Sequence, residues 1–127
     1  MEIGSSPSLK PKLSLIENIK YFLYKESVDE KFIVETLNKY QLNEFKEDLI
    51  EDYSSGMVKR SELAIADLKK PDILCIDEPK VYLDENGILL LFDLLNYRET
   101  QKMTSILSSQ ENINALSNIE RTIDLND

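Results

Sequence analysis

Hydrophobic positions fall into two regimes along this chain. From Ser14 to Lys69 they recur about every three or four residues, the spacing of one helical face. From Ile73 onward they come in short continuous runs. Ser14 and Glu17 have capping-box spacing and predict a helix start, with Leu15, Ile19 and Phe22 on its inward face. Ser27 and Glu30 repeat the box, and Ile33, Leu37 and Tyr40 repeat the face. A third amphipathic piece follows in "LNEFKEDLIEDY", with Phe45 and Leu49 as inward candidates. Val58, Ile65 and Leu68 predict a helix over about 57–69, ended by Pro71. Residues 1–13, with Pro7 and Pro11, read as loop.

The second regime opens with "ILCI", too short for a helix and read as a buried strand. A helix is predicted from about Glu85 to Tyr97, its "ILLLF" run buried on more than one side. "TSILSS", Thr104 to Ser109, reads as a second buried strand. A short helix near Glu111 to Leu116 and a last strand, "RTIDL", complete the pattern. Helices followed by alternating strands and helices predict an α/β fold with a parallel sheet.

Composition narrows the function. A chain of 127 residues that is 42% hydrophobic holds one modest core. A net charge of -9 argues against a nucleic-acid partner, which requires a basic face. The longest apolar run, Ile88 to Phe92, is too short to span a bilayer, and the N-terminus carries no signal-peptide core. The expectation is a soluble, cytoplasmic chain. The single Cys75 excludes an internal disulfide, and the lack of histidine removes the commonest general base and zinc ligand.

"ILCIDEP" places Asp77 and Glu78 where a parallel strand would meet a ligand. Asp77 there suits Mg²⁺ and Glu78 suits an attacking water; an acidic loop after a strand is the plainer alternative. "YSSGMVKR" leads small residues Ser54, Ser55 and Gly56 into a helix start, which presents N–H groups to an anion or is an ordinary cap. Asp84 in "VYLD" is either a contact residue or a cap. Gln110, after "ILSS", either reaches a phosphate or is a solvated loop residue.

The order of these pieces is more specific than any one of them. It resembles the nucleotide-binding subunit of ABC transporters, an incomplete P-loop NTPase fold here. "YSSGM" is similar to the family's signature motif, "ILCIDEP" to its Walker B segment and "VYLD" to its D-loop. "SSQE" stands where the switch histidine lies, with Gln110 in its place. Within the family, Ser8, Leu9, Lys10 and Pro11 followed by Leu13, Glu17, Asn18 and Ile19 resemble the haem-export ATPase of cytochrome c biogenesis.

The resemblance implies one partial ATP-binding domain over 1–127. A helical subdomain and signature helix would occupy about 14–69, and a Walker B to C-terminal α/β part about 70–127. It implies that Ser54, Ser55 and Gly56 meet the γ-phosphate in a partner's site, with Asp84 and Gln110 as further nucleotide contacts. Asp77 would be the Mg²⁺ residue and Glu78 the water-orienting base. It also implies ATP and Mg²⁺ as cofactors, a second ATP-binding subunit, and a membrane permease docked on the helices from Ser14 to about Asp52 at the inner face of the membrane.

The departures are as informative. Gly4, Gly56 and Gly87 are the only glycines, and none starts the Gly-x-x-x-x-Gly-Lys-Ser/Thr phosphate loop. Ser5 stands near the Q-loop position, Met57 replaces the signature's last glutamine, Tyr53 its leading leucine, and Val81 and Tyr82 are bulky for a D-loop. Catalysis is therefore expected only if another chain supplies the loop. The alternatives are a non-catalytic remnant or helical interaction module, and an unrelated metal-dependent phosphohydrolase using Asp77, Glu78 and Asp84. A sheet lacking part of its strands is expected to expose an edge and a face.

Overall fold

A computed structural model describes residues 1–4 and 8–109. The elements run β1 (Glu2–Ile3), α1 (Leu15–Phe22), α2 (Glu30–Lys39), 3₁₀ turns at Asn43–Phe45 and Ile50–Asp52, α3 (Ser55–Lys69), β2 (Ile73–Asp77), α4 (Pro79–Tyr82), α5 (Glu85–Thr100) and β3 (Thr104–Ser108). The helix and strand expected after Gln110 lie outside the described residues, as does Ser5.

The helices follow from local chemistry. Ser14 and Glu17 close the predicted capping box: the Glu17 N–H donates to Ser14 Oγ at 3.2 Å and the Ser14 N–H to Glu17 Oε1 at 3.0 Å. Buried Asn18 ties this start to the preceding loop, donating to the Ser14 and Lys10 carbonyls and accepting from the Lys10 N–H. The second helix corrects the prediction. Its cap is Asp29, not Ser27, and Asp29 accepts from the Lys31 N–H at 3.1 Å.

The acidic stretch 42–53 forms two 3₁₀ turns and no α-helix. Glu44, Glu47, Asp48, Glu51 and Asp52 would stack like charges along a helix face. Its backbone bonds instead to the loop before and into α1: Ile50 and Glu51 donate to the Leu13 and Pro11 carbonyls, and Lys46 accepts from Ile16. Leu42 and Ile50 carry the burial there, while Phe45 and Leu49 are only half-buried.

Helix α3 is the centre of the core. It starts at Ser55, two residues before its expected start, and ends as Lys70 turns left-handed at φ 52° ahead of Pro71. Leu63, Ala64, Ile65, Ala66 and Leu68 are buried among Leu15 and Ile19 of α1, Leu37 of α2, Leu91 and Leu94 of α5, and Ile3, Leu74 and Ile76 of the sheet. The sheet has three parallel strands in the order β1-β2-β3. The first of them lies in a segment read from sequence as loop; Glu2 and Ile3 align with Cys75 and Ile76.

Neither longer strand is fully buried. Leu74 and Ile76 face the helices, but Ile73 is 54% and Ile106 52% exposed on the opposite face. Parallel strands need cover on both sides, and the described residues provide it on one. Helix α5 shows the same asymmetry, with Leu90 and Leu91 buried and Leu89 exposed, so "ILLLF" is not buried all round.

Two tyrosines make the fold sensitive to alkali. Tyr40 donates to Asp67 at 3.0 Å, and burial, with Asp67 close by, raises its pKa. Tyr53 donates to the Phe45 carbonyl, and burial, then Asp48, pushes its pKa up to about 12. Both groups hold their protons more tightly folded than unfolded. Their contribution is therefore full below the ordinary tyrosine value of 10 and is lost as pH rises above it. Urea midpoints are expected to fall between pH 10 and about 12, and Tyr40→Phe with Tyr53→Phe to flatten that fall. An unchanged slope in the double variant would remove the tyrosines as its cause.

Candidate functional site

The carboxyl ends of the three parallel strands converge, which is where open α/β sheets bind ligands. Asp77 is the last residue of β2 and is exposed. Ser108, the last residue of β3 and its register partner, donates its hydroxyl to Asp77 Oδ1 at 2.5 Å. Gly4 follows β1 beside it, so close that a Cβ there would lie 3.9 Å from Asp77 Cβ. One strand end from each neighbour thus frames the Asp77 carboxylate.

Glu78 takes a left-handed backbone, φ 49° and ψ 59°. A non-glycine residue there stores about 1–2 kcal/mol of strain. The conformation is held on both sides. The Glu78 N–H donates to the Ser108 carbonyl at 2.8 Å, and Pro79, at the first position of α4, is buried. The turn separates the two acids: Asp77 stays in the sheet plane while Glu78 leaves it.

The other predicted residues lie apart from this edge. Ser54 caps α3, its hydroxyl accepting from the Met57 N–H at 3.2 Å. Gly56 packs on the α4 turn, where a Cβ would sit 3.7 Å from the Tyr82 carbonyl oxygen. Ser54 and Ser55 are exposed. Asp84 is the cap of α5 and accepts from the Gly87 N–H at 2.8 Å. Gln110 lies outside the described residues. Among the described residues no cluster of three Asp, Glu, Cys or His side chains is arranged to hold a metal. Asp77, Glu78 and Asp84 thus do not form the triad that a stand-alone phosphohydrolase needs.

Two residues that sequence reading passed over sit between these parts. Lys59 and Glu62, one turn apart on α3, form a buried ion pair at 3.2 Å. Lys59 Nζ also donates to the Gly4 carbonyl and lies 4.9 Å from the centre of the Tyr82 ring. Burial raises the Glu62 pKa, with Lys59 and Ser8 opposing the shift. Charged residues at this spacing read as a solvated helix face, so only the packing reveals them.

Known proteins place this geometry. A family profile described as ABC transporter matches residues 3–81, which include Ser54–Gly56, Asp77 and Glu78. The lantibiotic transport ATP-binding protein SrtF of Streptococcus pyogenes is 32% identical over 126 residues, 97% of this chain and 53% of SrtF. The cytochrome c biogenesis ATP-binding export protein CcmA of Vibrio cholerae is 28% identical over 127 residues, 98% of this chain and 61% of CcmA. A solved ATP-binding subunit of an ABC transporter superposes with a TM-score of 0.74 at 24% identity, covering 85% of this chain and 47% of that one. The chain therefore spans between half and two thirds of the length of these curated relatives. Its α/β architecture is that of the ABC nucleotide-binding fold. Signature-like helix start, strand-end acids and fold agree, and the chain belongs to the ABC transporter family.

Proposed function

We propose that this chain supplies the signature and Walker B parts of an ABC transporter's ATP-binding unit, with the phosphate loop contributed by residues outside these 127. The observation that carries the reading is the strand-end arrangement of Asp77 and Glu78, fixed through Ser108. Asp77 fits a Mg²⁺ role: its carboxylate is exposed, Ser108 bonds one oxygen, and the described residues give the other no hydrogen bond. Mg²⁺ suits such a site because it keeps waters and phosphate oxygens as its remaining ligands. When bound, Mg²⁺ neutralises charge on the transferring phosphate.

Glu78 acts as the water-orienting base, carried on a backbone turn held by the Ser108 carbonyl and buried Pro79. Ser54, Ser55 and Gly56 present the start of α3 to a γ-phosphate held by a second ATP-binding subunit. Ser54 caps the helix through an oxygen lone pair and keeps its hydroxyl proton to donate. Asp84 acts indirectly, by fixing the start of α5. Gln110 is retained as a nucleotide contact on the resemblance alone.

Within the helical subdomain and signature helix of about 14–69, the helices from Ser14 to about Asp52 are proposed to dock on a membrane permease from the cytoplasmic side, and 70–127 to complete the nucleotide-facing part. No helix among the described residues is long and apolar enough to cross a membrane. Haem as cargo rests on the sequence resemblance of residues 8–19, and a cytochrome c biogenesis export protein is one of several relatives matched, the lantibiotic transport protein at higher identity. The proposal is accordingly made for the family's ATP-driven step, with haem export as its finer form.

Complementation tests it. The chain alone with Mg²⁺ and ATP is expected to give no turnover. Mixed with a separately expressed segment of SrtF that this chain does not match, it is expected to hydrolyse ATP. Turnover by the chain alone, or none after complementation with a segment shown to bind it, would refute the proposal. The second result would favour a non-catalytic remnant.

A further inference from the structure

The Lys59–Glu62 pair is nearly sealed from water, its side chains 7% and 0% exposed. A buried ion pair gives weak net stability, because desolvation offsets the attraction, and well-packed apolar residues often serve as well. Its contacts point elsewhere. Lys59 Nζ donates to the Gly4 carbonyl, just past β1. Glu62 Oε2 accepts from Ser8 Oγ at 3.3 Å. Lys59 also lies over the Tyr82 ring, and the Tyr82 carbonyl packs on Gly56. A cavity of about 10 Å³, room for one water at most, lies between Lys59, Tyr82, Asp77 and Glu78. Two adjacent turns of one helix thus touch Gly4, Ser8, the α4 turn and the surroundings of both strand-end acids.

We propose that Lys59 and Glu62 are positioning residues that lock the start of α3, and with it Ser54–Gly56, to Gly4 and Ser8 and to the α4 turn. This rests on the reading of Ser54–Gly56 as a phosphate contact. Neither residue touches nucleotide. The pair sets the angle and depth at which the α3 N-terminus faces a phosphate, relative to the edge that carries Asp77.

The test replaces the pair with apolar residues, Lys59→Met with Glu62→Leu, in the full chain. The melting midpoint is expected to stay within a few degrees of the parent, since the pair adds little net stability. Amide exchange in peptides spanning Gly4 and Ser8 is expected to accelerate at least about ten-fold, with the β2–β3 ladder unchanged. In the SrtF-complemented assembly, affinity for Mg²⁺–ATP is expected to weaken about ten-fold. Wild-type exchange at Gly4 and Ser8 in a stably folded double variant would overturn the proposal. Uniform acceleration everywhere, with a large drop in melting, would also overturn it by showing a purely structural role. Local acceleration with unchanged nucleotide affinity would keep the lock and refute the phosphate reading of α3. Should the double variant not fold, Glu62→Gln serves. It keeps the side-chain shape and removes the charge facing Lys59, so local exchange at Gly4 should still rise about three-fold; no rise would overturn the lock.

Discussion

Replacing Glu78 with glutamine is expected to lower ATP turnover by the SrtF-complemented assembly by roughly 10²–10⁴-fold, the usual worth of a positioned general base. Nucleotide affinity should stay within about two-fold, because the change removes an interaction made in the transition state. Glutamine is isosteric, and the backbone that holds residue 78, the Ser108 carbonyl contact and buried Pro79, is untouched by it. Asp77→Asn is expected to behave differently. It weakens the carboxylate that suits Mg²⁺, so affinity for Mg²⁺–ATP should fall along with turnover. The two phenotypes separate the acids' roles by steady-state kinetics together with equilibrium binding of a non-hydrolysable ATP analogue. Glu78→Gln with unchanged turnover would remove Glu78 from the mechanism.

The candidate residues stood out in sequence because each motif is local. "ILCIDEP" carries strand, acids and turn proline within seven residues, and "YSSGM" carries cap and glycine together. Features that depend on distant partners were not readable. Strand β1 has two residues, too few for any periodicity, and exists only through pairing with Cys75 and Ile76 far along the chain. Ser108 reads as one more polar residue at a strand end, yet its hydroxyl holds Asp77. Ser27 and Asp29 are both good caps, and residue type alone does not choose between them. "ILCI" and "TSILSS" have the apolar content of strands covered on both faces; sequence pattern does not report which cover is present. Lys59, Glu62 and Arg98 have the spacing of surface charges and are buried because the fold closes over them.

Arg98 supports the largest expected loss of stability. Its side chain is 1% exposed near the end of α5, beside the amino ends of β2 and β3. Nη1 donates to the Pro71 carbonyl at 2.8 Å, Nη2 to the Thr104 carbonyl at 2.6 Å, and Nε to Ser105 Oγ at 2.8 Å. Nη2 also reaches the Asp72 carbonyl at 3.4 Å. One guanidinium fork thus serves backbone acceptors just before β2 and at the first residue of β3. Burial lowers its pKa, with Asp72 opposing, but arginine stays charged across the working range, so no pH window follows. Arg98→Met fills much of the same space and removes the guanidinium donors from the Pro71 and Thr104 carbonyls and Ser105 Oγ, while the Asp72 carbonyl keeps the Thr104 N–H. Each stranded buried acceptor costs about 1–3 kcal/mol, and water entering at the strand ends relieves part of it. The expected loss is about 3–5 kcal/mol, a large share of the roughly 5–15 kcal/mol of a typical domain. Arg98→Lys keeps the charge but not the planar fork, and should lose about 1.5–3 kcal/mol. Urea unfolding at constant slope measures both. A loss under about 1 kcal/mol for Arg98→Met would mean that the strand ends find other donors, and that the fork does not hold α5 to the sheet.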